Sequence, residues 1–270
     1  MKHTGEYHET PCPKNREIIS DIIELGLIKK HMKGSIEVDV THARQIIKRY
    51  KEVSGTTISF TGWLAKCISE SVKEHSQVHS LKLGRKKIIT FKDIDVLITV
   101  EKTVNEDKFP LPFVIRKTNE KNLMDINGEI RSAQAAPVNK DTLVIGSSHL
   151  WLKYYLLLPK FIRRFIGKKM IMNPFFIKEN VGTVGISAIG MKGNFNGWIM
   201  PVSPQPLYFS FGSITKKSGV IGDNVDIREY LNISFLFDHE VIDGAPMVRF
   251  LERLTHLIES GYALTALSDY

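Results

Sequence analysis

The sequence predicts an α/β protein built on a mixed β-sheet, and three observations carry that prediction. Runs with helical apolar spacing and runs that alternate every second residue are interleaved along all 270 residues. They lack the strict strand-helix-strand rhythm of a parallel sheet. No Gly/Ser-rich linker divides the chain, and no period of about 20–50 residues marks a repeat fold. With 43% apolar and 24% charged residues, the composition is that of an ordinary globular protein that buries a core without disulfides.

Residues 1–14 read as an extended N-terminal arm. From Asn15, NREIISDIIELGLIKKHM spaces Ile18, Ile19, Ile22, Ile23 and Leu27 as a helix, with Gly34 just past its end. GSIEVDVT alternates like a strand, and Thr41 is placed to cap THARQIIKRYKEVSG. FTGWLAKCISESVKEH forms a third helix, SLKLGRKKIITF a hairpin turning at Gly84, and IDVLITVE and FPLPFVIRK two strands around a polar turn. Asn119 or a neighbour opens a helix through Leu123, Ile126 and Ile130. After a basic segment come VGTVGISAIG, a glycine-rich stretch to about Trp198, and LYFSFGSIT. The last strand is YLNISFLFD and the last helix GAPMVRFLERLTHLIES.

Composition excludes several classes. Two cysteines, Cys12 and Cys67, make no disulfide framework or metal-ligand spacing and suit a reducing cytoplasm. The polar N-terminus lacks the apolar core of a signal peptide. The most apolar run, LWLKYYLLLP, falls short of the roughly 20 residues of a membrane span. Net charge is +8, and the excess is local: from Thr142 to Lys178 there is no Asp or Glu. No nucleic-acid motif accompanies it. His75 and His79 stand four apart, but no third metal ligand lies at a telling distance.

The chemistry concentrates in FDHEVIDGAP. In YLNISFLFD, Leu231, Ile233, Phe235 and Phe237 share one face, so His239 ends the strand. Asp243 stands at the start of the last helix, and Pro246 fits its first turn. The plain reading makes Asp243 a helix cap, Gly244 a turn residue and His239 a hydrogen-bonded strand terminus. The chemical reading makes His239 a base projecting into a cleft, with a carboxylate to stabilise its charged form, since imidazole is the side chain suited to proton transfer near neutrality. Spacing alone does not choose between them.

DHEVIDGAPMVRFLERL resembles the active-site segment of the acyltransferase component of 2-oxo acid dehydrogenase complexes, and shares the H-x3-D-G signature of chloramphenicol acetyltransferase. VGTVGISAIGMKG resembles the family's G-T-x-x-I-S-x-x-G-M-x-G segment, and KLGRKKIITFKDIDVLITV is similar to its hairpin and central strand. The resemblance covers about residues 15–262, and its two motifs lie about 50 residues apart in the family's order. It implies a single catalytic domain over 15–270 with a chloramphenicol acetyltransferase-like fold: a two-layer sandwich whose mixed sheet is covered by helices. It further implies a homotrimer with active sites between subunits.

By the same resemblance, His239 would be the general base for a thiol, hydroxyl or amine nucleophile that attacks an acyl-CoA thioester directly. Ser187 would donate to the oxyanion from a neighbouring subunit. Asp243 would hold the environment of His239, Gly244 would complete the turn, and Arg16 would be the N-terminal arginine paired with the motif aspartate. Coenzyme A or acyl-CoA enters as substrate, and no metal is implied. The family's lipoyl and subunit-binding modules have no counterpart in the sequence, so no covalently bound lipoate is expected and the acceptor is a small molecule or a separate lipoyl carrier. A higher assembly of trimers is compatible with this reading. The contrasting expectation is a non-catalytic trimeric core or binding protein that keeps the fold. Segment 149–178 is longer and more basic than the family's usual connection. It reads as amphipathic helix covering the sheet, with cationic heads reaching water. The alternatives are a lip for the phosphates of coenzyme A, a trimer–trimer contact, or a helix touching anionic lipid. Asn194 and Asn196 in MKGNFNGW sit in a loop that a plain turn accounts for.

Overall fold

The computed structural model describes residues 5–12, 14–104, 107–137, 155, 157–188, 190 and 196–267. Helix α1 (Lys14–Gly26) precedes strand β1 (His31–Asp39), then come α2 (Thr41–Ser54) and α3 (Phe60–Glu74). The hairpin β2 (Leu81–Leu83) and β3 (Lys87–Ile89) turns at Gly84, whose φ of +63° suits glycine. Strands β4 (Val96–Val104) and β5 (Asp107–Ile115) lead to α4 (Leu123–Ala135). Helices α5 (Lys160–Ile171) and α6 (Pro174–Asn180) come before β6 (Val184–Ser187), the long pair β7 (Leu207–Ile221) and β8 (Asn224–Asp238), and α7 (Gly244–Glu259).

Six strands form one mixed sheet in the order β1-β8-β7-β6-β4-β5, with β6 parallel to both its neighbours and the other pairs antiparallel. One face carries Val38, Val96, Ile98, Val184, Ile186, Phe209, Phe211, Ile233 and Phe237 against Trp63, Leu64, Ile68, Ile126, Phe250 and Leu254 of α3, α4 and α7. This is the two-layer sandwich expected, and apolar burial on that face is its main source of stability. A smaller cluster of Leu81, Ile171 and Ile177, with Leu25, Phe91 and Val181 against it, joins α1, α5 and α6 to the β2–β3 hairpin.

Several boundaries differ from the sequence reading. The first helix stops at Gly26, not near Met32, and glycine stands there because a side chain would press on Val202 and the backbone of Ser203. Gly34 lies inside β1, opposite Phe235, whose ring fills the place a side chain would take: a Cβ there would sit 2.3 Å from it. Thr41 is the first residue of α2 and caps nothing; the backbone N–H and hydroxyl of Thr41 instead donate to Asp39 Oδ1 at 2.8 and 2.6 Å. The helix predicted near Asn119 opens at Asn122, in a reciprocal capping box with Asp125. The hairpin β7–β8 continues well past the two apolar cores that predict it, to the Gly222–Asp223 turn. One extra residue in β7 shifts the register between Phe211 and Ile214, so Ile214 returns to the core face opposite Leu231.

Candidate active site

Strand β8 carries His239 to the sheet's end, and two contacts fix it there. The backbone N–H of His239 donates to the carbonyl of Lys30 at 2.8 Å, pinning the turn to the entry of β1. The preceding Asp238 is fully buried; its carboxylate accepts from Lys29 Nζ at 3.0 Å and from the backbone N–H of Glu240 at 3.2 Å. Across from Asp238 in the register, His31 contacts the carbonyl of Gln205 through Nε2 at 2.8 Å, and burial holds its imidazole below the usual range. The neighbours of His239 are therefore rigid. Its own imidazole is half exposed, as a base that must meet a substrate requires.

Asp243 takes the N-cap position of α7, yet its side chain accepts no cap hydrogen bond. The plain reading of this residue as a helix cap is thus corrected. The carboxylate is 89% exposed and lies 3.8 Å from His239 Nδ1, near enough for a charge interaction and too far for a hydrogen bond. Gly244 opens the helix, and open space surrounds the position of a Cβ on it.

Ser187 ends β6 on the face opposite the core, because Val184 and Ile186 point into the core. Its neighbours across the sheet are Ser210 and Ser234, so three serines align over β6, β7 and β8. Tyr208 lies beside Gly185, and its ring occupies the space a side chain at Gly185 would need. Burial pushes the phenol's pKa up, and the neighbouring Ser187 hydroxyl opposes that.

The register also separates the two halves of the motif. Ser234 is the β8 residue level with Ser187, two strands away, and His239 lies five residues further on. At about 3.3 Å per residue and 4.8 Å per strand, Ser187 and His239 are roughly 19 Å apart within one chain. Arg16 stands exposed on α1 beside Cys12, Asp21 and Arg163, and among the described contacts it makes no ion pair with Asp243. Asn194 lies outside the described residues, while the Asn196 side-chain oxygen accepts from Asn232 Nδ2 at 3.0 Å. His79 is structural, its Nδ1 2.7 Å from Thr183 Oγ1. Sequence reasoning missed Lys29, Asp238 and Tyr208. The only hint was the alternation that puts Asp238 and Tyr208 on the face opposite Phe237 and Phe209.

The sandwich with a polar strand-end site is the fold of 2-oxo acid dehydrogenase acyltransferase cores. The cubic core of a pyruvate dehydrogenase multienzyme complex superposes with a TM-score of 0.69 at 18% identity, over 97% of this chain and 95% of that one. A probable dihydrolipoamide acetyltransferase from Listeria monocytogenes gives 0.66 at 20% identity, covering 94% and 95%. Residues 179–266 match the family described as 2-oxoacid dehydrogenases acyltransferase (catalytic domain), and the chain's relatives are acyltransferase components of that family. The lipoamide acyltransferase component of the branched-chain alpha-keto acid dehydrogenase complex of Bacillus subtilis is 27% identical over 85% of this chain and 47% of its own length. A dihydrolipoyllysine-residue acetyltransferase component from Rickettsia conorii is 23% identical over 96% and 55%. The chain thus spans about half the length of the curated relatives it matches.

Proposed function

We propose that the protein is a CoA-dependent acyltransferase that moves an acyl group between coenzyme A and a thiol, hydroxyl or amine acceptor. His239 removes the nucleophile's proton, and the nucleophile attacks the thioester carbonyl without an enzyme-bound acyl intermediate. The Ser187 hydroxyl, beside Tyr208, donates to the oxyanion. Asp243 stabilises the imidazolium that forms when the proton moves. The observation that carries this reading is the half-exposed His239 with the uncapped Asp243 carboxylate 3.8 Å from Nδ1. The family match spans both Ser187 and His239, which supports it. In the Azotobacter vinelandii dihydrolipoamide acetyltransferase, a serine, a histidine and an asparagine have been investigated for roles in the catalytic mechanism.

A base and an oxyanion donor serving one carbonyl must both reach it within about 3 Å. Residues roughly 19 Å apart in one chain do not. The complete site is therefore formed between copies, Ser187 from one and His239 from the next, in a homotrimer. The acceptor is a small molecule or a lipoyl group on a separate carrier.

The test is thioester turnover by the purified protein, offered acetyl-CoA and longer acyl-CoAs with dihydrolipoamide and small alcohols or amines. His239→Ala is expected to lower turnover by about 10²–10⁴-fold, and Ser187→Ala by about 10²–10³-fold. Equal rates for wild type and His239→Ala with every acceptor that reacts would remove the assignment.

A further inference from the structure

Helix α5 buries Ile171 but presents two phenylalanines to solvent. Phe161 and Phe165, one turn apart, are 73% and 62% exposed, and Met172 just past the helix continues the ridge. Leu157, before the capping Pro159, is exposed at its other end. Cations flank the ridge on both sides. Lys160 and Arg164 lie along one flank, and Lys168 and Lys169 sit at the crest and the far flank, with Lys169 Nζ 4.7 Å over the Phe165 ring.

The helix's inner side faces α1, and the ion pairs are placed there. Arg163 is buried between Glu17 and Asp21, at 2.9 Å from each. Lys160 and Arg164 reach Glu24 at 2.9 and 3.0 Å. Helix α1 thus neutralises the inner cations, and among the described contacts Lys168 and Lys169 have no carboxylate partner. Helix α5 packs on α1 and sends Ile171 into the small cluster with Leu81 and Ile177, while Phe161 and Phe165 face outward.

We propose that this ridge docks on an anionic membrane surface, with Phe161 and Phe165 inserted at the headgroup level and Lys168 and Lys169 on lipid phosphates. An apolar ridge bordered by cations, on a helix with no acidic residue, is the pattern of an interfacial helix. Charge favours this occupant over a second copy docked face to face. The protein carries +8 overall, and pairing this face with itself would set Lys168 and Lys169 against their own copies. The helix is also far too short to cross a bilayer: no described helix is long and apolar enough for that. Contact is therefore peripheral.

The experiment is flotation of the whole protein with vesicles of phosphatidylcholine alone or with about a third phosphatidylglycerol. Binding is expected only to the anionic vesicles, and is expected to fall when salt screens the lysines. Phe161→Ser with Phe165→Ser, and separately Lys168→Glu with Lys169→Glu, are each expected to weaken partitioning about tenfold or more. Circular dichroism and light scattering should show the fold and oligomeric mass unchanged, since these side chains point away from the core. Absence of anionic-vesicle binding overturns the proposal, as does equal binding by both double variants. A change of oligomeric mass in the Phe variant also overturns it, because the ridge would then be a contact between copies. Vesicle binding does not depend on the acyl-transfer reading, so either idea can fail alone.

Discussion

Lys29 and Asp238 form a buried ion pair at 3.0 Å, one residue before the histidine that ends the last strand. The pair joins the approach to β1 to the end of β8, and the Lys30–His239 backbone bond lies beside it. Replacing Asp238 by Ala strands the Lys29 ammonium and removes the partner of the Glu240 N–H. A loss of about 3–5 kcal/mol is expected in urea unfolding. Lys29→Met combined with Asp238→Leu should recover much of that stability while acyl transfer stays impaired, since the turn carrying His239 loses its anchor. Full activity in the stable double variant would show that the pair does not position His239.

Subunit mixing tests the separation of Ser187 and His239. Ser187→Ala and His239→Ala proteins, each strongly impaired, are unfolded together in equal amounts and refolded. If each site draws its serine and histidine from different chains, about a quarter of the sites in random trimers are intact, and activity returns to about a quarter of wild type. If both residues served from one chain, every mixture would stay impaired.

Acid sensitivity should trace to His79. Burial and the nearby Lys178 push its pKa from 6.5 down to about 4. The native state therefore holds the neutral ring, while the unfolded chain takes up a proton at and below pH 6.5. Stability is present above that range and is lost as pH falls from about 6.5 to 4, by about 3 kcal/mol when complete. Asp95, held below the usual carboxylate range against burial by Lys178, Lys117 and Arg116, adds its loss only at lower pH. Unfolding midpoints from pH 7 to 4.5 should fall for wild type and less steeply for His79→Gln, with the remaining slope coming from His31, whose imidazole burial also holds below the usual range. Parallel slopes would assign the acid loss to other groups.

Gly34 is a packing position. A methyl group there meets the Phe235 ring at 2.3 Å, so Gly34→Ala should cost about 1–3 kcal/mol. Phe235→Leu, which removes the ring, should restore part of it. Thermal unfolding of the single and double variants reads this directly, and additive losses would contradict the contact.

Much of the layer architecture was legible because apolar spacing is a property of single elements. Phe250, Leu254, Leu257 and Ile258 announce the buried face of α7, and Ile233, Phe235 and Phe237 that of β8. His239 and Asp243 were legible because four residues of chain fix their spacing. Gly34 misled because glycine ends helices more often than it hosts a neighbour's ring in a strand. Thr41 misled because the N-cap position falls to Val40, while Thr41 instead donates to Asp39 inside the turn. Lys29 and Asp238 are 209 residues apart, and no local pattern records a partner at that distance. The outer half of the β7–β8 hairpin escaped because its short alternation of Val225 and Ile227, paired with Val220, is exposed rather than buried against the core.

The β7–β8 hairpin acts on His239 from a distance. Its turn at Gly222 and Asp223 sets the pairing that places Phe237 opposite Leu207, at the far end of both strands. Adding or deleting one residue at that turn would throw the ladder out of frame and swap the inward and outward sides of each rung. The extra residue between Phe211 and Ile214 is the one place where the ladder already absorbs such a change. A loop on the remote edge of the molecule thus works as a tuning peg, setting the pitch of a histidine the length of a strand away.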